Sequence, residues 1–325
     1  MAAPRHRPPA AGRRSLLPAI AVVAVALVGA VALLLTRGDD PAPTSRTAST
    51  APAPRPAGSR APARRPATVA ARRARERASW PRHGAAARRT RVPILMYHLI
   101  AAAPAGTPYP ELWVPAARFR EQVDALAAAG FTAVTLSEAW EAWHGEGRLP
   151  RRPVVLSFDD GSLSQVMAAG PALLRHGWPG VLNLTLDHLN AQGMPRWGAR
   201  RLLRQGWEID SHTLTHPDLT TLGADALREE LAGSRRRLRE RLGVETRFLC
   251  YPAGRNDAAV RAAARAAGYV AATTVQPGIA GRDDDPFLLP RIRVEPGTTA
   301  ATLVRMARGE ASAPPAGAAG TAAAG

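Results

Sequence analysis

Short apolar runs separated by amphipathic stretches fill the middle of this chain. Apolar segments of strand length occur at Val92–Tyr97, Phe131–Leu136, Pro153–Phe158, Val181–Leu186, Trp207–Ser211, Phe248–Tyr251, Tyr269–Thr274 and Leu289–Val294. Helices are predicted between them, most clearly over Ala116–Ala129, Ala224–Leu242 and Asp257–Ala267. Each ends near a glycine (Gly130, Gly243, Gly268), the residue that helix C-termini favour. Strand–helix alternation of this kind predicts a largely parallel sheet with helices outside, either doubly wound or closed into a barrel. In such barrels the chemistry gathers where strands end and loops begin.

The flanks follow other patterns. Leu16 to Leu35 is an uncharged apolar run of twenty residues, about 30 Å as a helix, which matches a bilayer core. Arg5, Arg7, Arg13 and Arg14 precede it, so residues 1–15 are expected in the cytoplasm, with 16–35 as a transmembrane signal anchor and the rest outside. The alternative is secretion after cleavage of a signal peptide; no convincing small-x-small site follows Leu35. Residues 36–90 turn to Ala, Pro, Ser, Thr and Arg and are expected to form a disordered linker, because so little apolar surface cannot order a chain. Residues 309–325 are expected to be a disordered tail. That leaves 91–308 as the expected folded unit.

Charge follows the same division. Residues 1–92 hold 18 Arg against Asp39, Asp40 and Glu76, whereas the remainder holds 25 Arg against 23 acids. All the cationic side chains other than His are Arg, a composition bias, and no basic patch is interleaved with aromatics, so nucleic acid is not an expected partner. The arginines of the linker suit either anionic lipid or wall polymer, or a plain solvated spacer. The single Cys250 excludes an internal disulfide framework and lacks a neighbouring base; it reads as a small core residue rather than a nucleophile.

Two segments carry the chemistry. In Val154–Gly161, VVLSFDDG, an apolar strand delivers Asp159 and Asp160 to its end, and Gly161 permits a sharp turn. Adjacent buried carboxylates need a cation or a shared proton; the competing reading makes Asp160 the N-cap of a helix over Ser162–His176. In Ser211–Pro217, SHTLTHP, His212 and His216 lie four apart just after a strand, a spacing that lets both face one ion. With Asp160 they make a His-His-Asp set with an open position for water on a divalent metal, and Asp159 is left to take that water's proton.

The chain from about Arg91 to Val294 resembles the polysaccharide deacetylase family (carbohydrate esterase family 4, the NodB homology domain). SFDDG is similar to its first motif, SHTLTHPDL to its second, and LPRIRV at Leu289–Val294 to a later one. PILMYH at Pro93–His98 resembles the opening of a branch that includes poly-N-acetylglucosamine deacetylases. The resemblance implies a distorted (β/α) barrel of about seven strands. It also implies metal ligation by Asp160, His212 and His216, with zinc the first expectation, and Asp159 as catalytic base. The implied reaction is removal of N-acetyl groups from an extracytoplasmic amino-sugar polysaccharide. The alternatives are an O-acetyl esterase, or a non-catalytic wall-binding protein with the same fold.

Two departures from the family pattern set further expectations. Its usual Arg-x-Pro-Tyr motif corresponds here to Cys250–Ala253, with Cys250 in the Arg position and Ala253 in the Tyr position. Backbone N–H groups of Tyr251 and Ala253 are therefore the expected oxyanion donors, and Arg291 is expected to orient Asp159 in place of the motif arginine. No His follows His216 to act as the family's general acid, which nominates His98. Most tryptophans read as core; Trp113 and Trp197, in polar surroundings, are the two candidates for sugar stacking.

Overall fold

Parallel strands covered on both faces need side chains that tolerate burial on both sides. In the computed structural model, which describes residues 69–311, β1 (Ile94–Tyr97), β3 (Pro153–Phe158), β4 (Val181–Leu184) and β6 (Phe248–Cys250) are buried at every position. With β2 (Thr132–Ala133), β5 (Glu208–Ser211), β7 (Ala271–Pro277) and β8 (Leu289–Arg293) they form one parallel sheet in the order β1-β8-β7-β6-β5-β4-β3-β2. β1 also pairs with β3, Ile94 opposite Val155 through Tyr97 opposite Phe158. Seven strands thus close into a barrel, and the two-residue β2 lies beside the start of β3. Of the two sheet architectures the alternation allows, this is the closed one.

The helices of the described residues are α1 (Val69–Ser79), α2 (Gly84–Arg88), α3 (Ala116–Ala128), α4 (Leu136–His144), α5 (Gly170–Arg175), α6 (Arg196–Arg204), α7 (Ala224–Arg228), α8 (Ser234–Leu242), α9 (Ala258–Ala266) and α10 (Ala300–Ala307). α9 starts where Asp257 caps it by accepting from the Val260 N–H at 2.8 Å. The helix expected over Ala224–Leu242 is interrupted by a π turn at Glu229–Gly233, and that expected over Ser162–His176 by one at Gln165–Ala169. Asp160 caps neither; Ser162 N–H is held by Gln165 Oε1.

Side chains two apart on a strand share a face, and the inward face changes character along the barrel. Its lower layer, Ile94, Val155, Val181, Phe248, Ala271 and Leu289, is apolar and packs on Trp80, Ala87 and Trp143. One step up stand Ser157, Asn183, Cys250, Thr273 and Arg291, every one of them buried. Outside the barrel, Tyr97, Phe119 and Phe158 pack edge-to-face and stacked at centroid distances of 5.1–5.7 Å, with Trp207 4.9 Å from Phe158.

The floor corrects one boundary. Residues 69–90 fall in the expected linker, yet α1 and α2 belong to the folded unit: Trp80 is buried, Arg82 pairs with Leu149, and Trp143 Nε1 donates to Thr90 O at 2.8 Å. The Ala/Arg composition masked these helices, whose contribution is to plug the barrel rather than to build a core of their own. The tail also begins later than expected, since Ala311 still packs on the core. Residues 1–15 expected in the cytoplasm, the apolar run at 16–35 and residues 36–68 of the expected linker lie outside the described residues, as does the expected tail beyond 311. No helix among the described residues is long and apolar enough to cross a membrane.

Phe119→Ala is expected to lower stability by about 3–5 kcal/mol, the usual cost of emptying an aromatic site, read from denaturant unfolding. A loss under about 1 kcal/mol would mean that the aromatic cluster does not couple α3 to the barrel.

Candidate active site

The upper rim of the barrel collects the side chains that the strands deliver. His98 follows β1, Asp159 and Asp160 follow β3, His212 follows β5, and Arg291 projects inward from the middle of β8 rather than its end. Asp160, His212 and His216 converge: His212 Nε2 and His216 Nε2 lie 3.5 and 3.6 Å from Asp160 Oδ1, and the two rings stand 4.7 Å apart. One ligand atom from each falls within 4.8 Å of the others.

This donor set fits a divalent metal. The Nδ1–H of His212 donates to the Cys250 carbonyl at 2.7 Å, which turns Nε2 towards Asp160, the arrangement seen behind metal-bound imidazoles. Burial would lower the pKa of His212, but Cys250 and Asp160 outweigh it and hold a proton on the ring. Asp160 is drawn well below the usual carboxylate range, against its burial, by His212, His98 and His216. A carboxylate facing two imidazoles calls for positive charge, and a metal would displace that proton. A second grouping, Asp159, His212 and Cys250, is less suited, because Asp159 is already committed to a guanidinium.

Backbone strain is concentrated here. Asp160 (φ 72°), Thr213 (φ 71°), His216 (φ 62°) and Ala253 (φ 51°) are four of the five non-glycine residues with positive φ among those described, a conformation that costs about 1 kcal/mol or more for each. Hydrogen bonds hold these turns. The Asp160 carbonyl accepts from Thr185 N–H (3.1 Å) and lies 3.1 Å from His188 Nδ1. Thr213 Oγ1 accepts from His216 N–H. Glu230, carried by the second π turn, accepts from the Leu214 and Thr215 N–H groups and from the Thr215 hydroxyl at 2.8–3.1 Å.

Asp159 lies deeper, 2% exposed. Arg291 grips it with both arms, Nη1 to Oδ1 and Nη2 to Oδ2, each at 2.8 Å; Asn183 Nδ2 donates to Oδ1 at 2.7 Å, and Cys250 Sγ lies 3.6 Å from Oδ2. Burial alone would raise this carboxyl, but the charge and hydrogen bonds of Arg291 reverse the effect and hold it far below its ordinary value. Arg291 thus reaches Asp159 from β8, with the small Cys250 of β6 beside the same carboxylate. His98 Nε2 is 3.7 Å from Asp159 Oδ2. Its pKa is lowered, chiefly by burial and in spite of the two aspartates, so the imidazole is neutral at pH 7.

Gln165, from the first π turn, spans His98 and Asp159, its Nε2 donating at 2.8 Å to both backbone carbonyls. Of the two expected backbone donors, Tyr251 is withdrawn: its N–H donates to Thr273 O at 3.2 Å between β6 and β7, leaving Ala253. Trp113 pairs through its backbone with Leu99 and is half-buried; Trp197 is 54% exposed. Cys250 is buried, as a core residue should be. Sequence reasoning did not single out Asn183, Gln165 or Glu230. The signals were present as a polar residue inside the apolar VLNL strand and as polar residues on the buried faces of two helices.

The family model described as "Polysaccharide deacetylase" matches residues 146–272, a span holding Asp159, Asp160, His212, His216 and Cys250–Ala253 but neither His98 nor Arg291. YxkH of Bacillus subtilis (strain 168), whose description places it among polysaccharide deacetylases, is 28% identical over 213 residues, 64% of this chain and 72% of its own. Among solved structures, the deacetylase PplD of Streptococcus pyogenes in complex with acetate superposes with a TM-score of 0.63 at 24% identity, over 67% of this chain and 98% of that one. A de-N-acetylase from Aggregatibacter actinomycetemcomitans gives 0.58 at 19%, over 67% and 100%. These two structures share the fold.

Arg291→Met tests the central ion pair. The folded-state pKa of Asp159 is depressed, so the pair's stabilisation is complete above the unfolded carboxyl value near 3.9 and is lost only as pH falls through the much lower folded value. The variant is expected to lose about 3–5 kcal/mol at pH 7, the cost of orphaning a buried charge. That deficit should narrow towards pH 4, where burial lets Asp159 take up a proton. Denaturant midpoints at the two pH values check this; a deficit independent of pH would refute it.

Proposed function

We propose that this chain, which belongs to the polysaccharide deacetylase family and is a hydrolase of that type, removes N-acetyl groups from an extracytoplasmic amino-sugar polysaccharide with the help of a divalent metal. The observation that carries the reading is the convergence of Asp160, His212 and His216 beside a buried, ion-paired Asp159. The ligand set would hold the metal, zinc being the first choice for one carboxylate and two imidazoles, with room left for water and substrate. When bound, such an ion supplies Lewis-acid polarisation of the acetyl carbonyl and a water acidic enough to attack it near neutral pH.

The chain's own residues do the rest. Asp159 takes a proton from the attacking water, and its weak basicity beside Arg291 means that it holds that proton only briefly. His98, neutral at rest and 3.7 Å away, is placed to receive the proton and deliver it to the departing sugar nitrogen. The Ala253 N–H is the proposed donor to the tetrahedral oxyanion. Acetate and a free amino sugar leave. The need for a proton at the leaving nitrogen favours this reading over an O-acetyl esterase, whose alcohol leaving group needs less help. The unit is proposed to work outside the cell on the anchor at 16–35.

Acetate release from N-acetylglucosamine oligomers is expected to be abolished by a chelator, restored by zinc, and lowered at least about 10²-fold in Asp160→Asn or His216→Ala, the scale on which lost metal-site groups act. Release only from acetylated xylan would transfer the assignment to the esterase. No release from either would leave a wall-binding protein.

His98→Ala should cut turnover of the amide by about 10²–10⁴-fold, the range of general-acid catalysis, while sparing an activated acetate ester. Equal losses on both substrates would remove His98 from the proton path.

A further inference from the structure

A cavity of about 690 Å³ lies away from the active site. It opens at the opposite end of the barrel, as Phe131, Pro93 and Pro153 in its wall show: they precede or begin β2, β1 and β3, whereas His98 and Asp159 follow β1 and β3. Arg82, Arg89, Arg91, Arg151, Arg152 and Arg308 line it, with Glu310 the sole acid in the lining. Arg82, Arg89 and Arg91 come from the Arg-rich segment before residue 93, so composition accounts for them. From residue 93 onward arginines and acids nearly balance, 25 to 23, yet Arg151, Arg152 and Arg308 join them here with one carboxylate in the lining.

Local structure accounts for only part of the cluster. Arg91 reaches Asp284, Arg152 donates to the Ala129 carbonyl at 2.5 Å, Arg82 Nε donates to the Arg151 carbonyl, and Arg308 lies 3.9 Å from Glu310. Arg89 and Arg308 follow the C-termini of α2 and α10, where cations are favoured. The side chains of Arg89 and Arg151 make no hydrogen bond or ion pair with any described residue. Guanidinium forks arranged around an open concavity suit the paired oxygens of phosphate diesters.

We propose that this arginine-lined cavity binds the phosphodiester headgroups of anionic membrane lipids, so that the barrel rests floor-down on the bilayer with its catalytic rim turned outward. The choice of lipid over a wall polymer follows from where the chain arrives. Outside the described residues lie 68 on the N-terminal side, including the apolar run at 16–35. The chain then passes through α1, with four arginines against one glutamate, directly to Arg82 in the cavity wall. The inference rests on the proposed anchor for its source of lipid; the charge cluster is independent of it.

Full-length protein is reconstituted into phosphatidylcholine nanodiscs with and without about one-third phosphatidylglycerol, and hydrogen exchange is followed at residues 82–93 and 150–153. Phosphatidylglycerol is expected to slow exchange there. Arg89→Gln with Arg151→Gln should reverse the slowing, by about fivefold per arginine removed, while acetate release and thermal unfolding stay as in the wild type. Lys at both positions should restore much of it. Equal exchange in the two kinds of disc would overturn the proposal. So would slowing that free inorganic phosphate or a soluble glycerol-phosphate polymer reproduces in neutral discs, which would assign the cavity to those anions. Flotation with pure phosphatidylcholine vesicles reads the anchor separately: protein that does not float there disproves the anchor and leaves the cavity to be judged with added phosphatidylglycerol.

Discussion

Arg291 carries a full charge to a place where 1% of its surface meets water. A guanidinium so buried persists only where its charge and donors are matched. Both arms go to Asp159, Nη1 also reaches Ser157, and Nε donates to the Thr274 carbonyl. The upper part of the barrel is arranged around that requirement: Asn183 completes the carboxylate, and Cys250 supplies volume small enough to leave the arginine its place. The same ion pair fixes the adjoining Asp160 turn by fixing the residue before it. A change at β8 therefore reaches the Asp160, His212 and His216 cluster through β3.

The two π turns extend this argument outward. An extra residue in a helical turn shifts the face that a side chain presents. Gln165 is thereby brought to bridge the loops after β1 and β3, and Glu230 to tie the loop that holds His216. Positive-φ residues on those loops could not persist without such ties. The rim is strained but tightly held, and the cost of that strain is met by hydrogen bonds from helices behind it.

Much of this was legible in the sequence, for identifiable reasons. Strands buried on both faces read as continuous apolar runs, so β3 and the runs around β1, β4 and β8 were located directly. The DDG and HTLTH segments bring Asp160, His212 and His216 together, because short strand-end turns leave little freedom. Arg291 was nominated because the motif arginine is missing, and the structure shows it pointing into the bore and pairing with Asp159. The failures have separate causes. α1 and α2 contain little apolar side-chain surface, and only Trp80 betrays that the segment is folded. Tyr251 was lost as a donor because backbone pairing between β6 and β7 is a tertiary fact. Gln165 and Glu230 depend on π turns that no periodicity announces.

The closure of the barrel through β1 has a bearing on when the fold can form. β1 is the first of the seven barrel strands in the chain, and its two neighbours, β3 and β8, include the last. The Arg291–Asp159 pair likewise joins residues 132 apart in sequence. Neither the ring nor the ion pair can form until the polypeptide has emerged through residue 293, and contacts of such long range fold slowly. The barrel therefore stays open while the chain is being made and locks only when its final strand arrives.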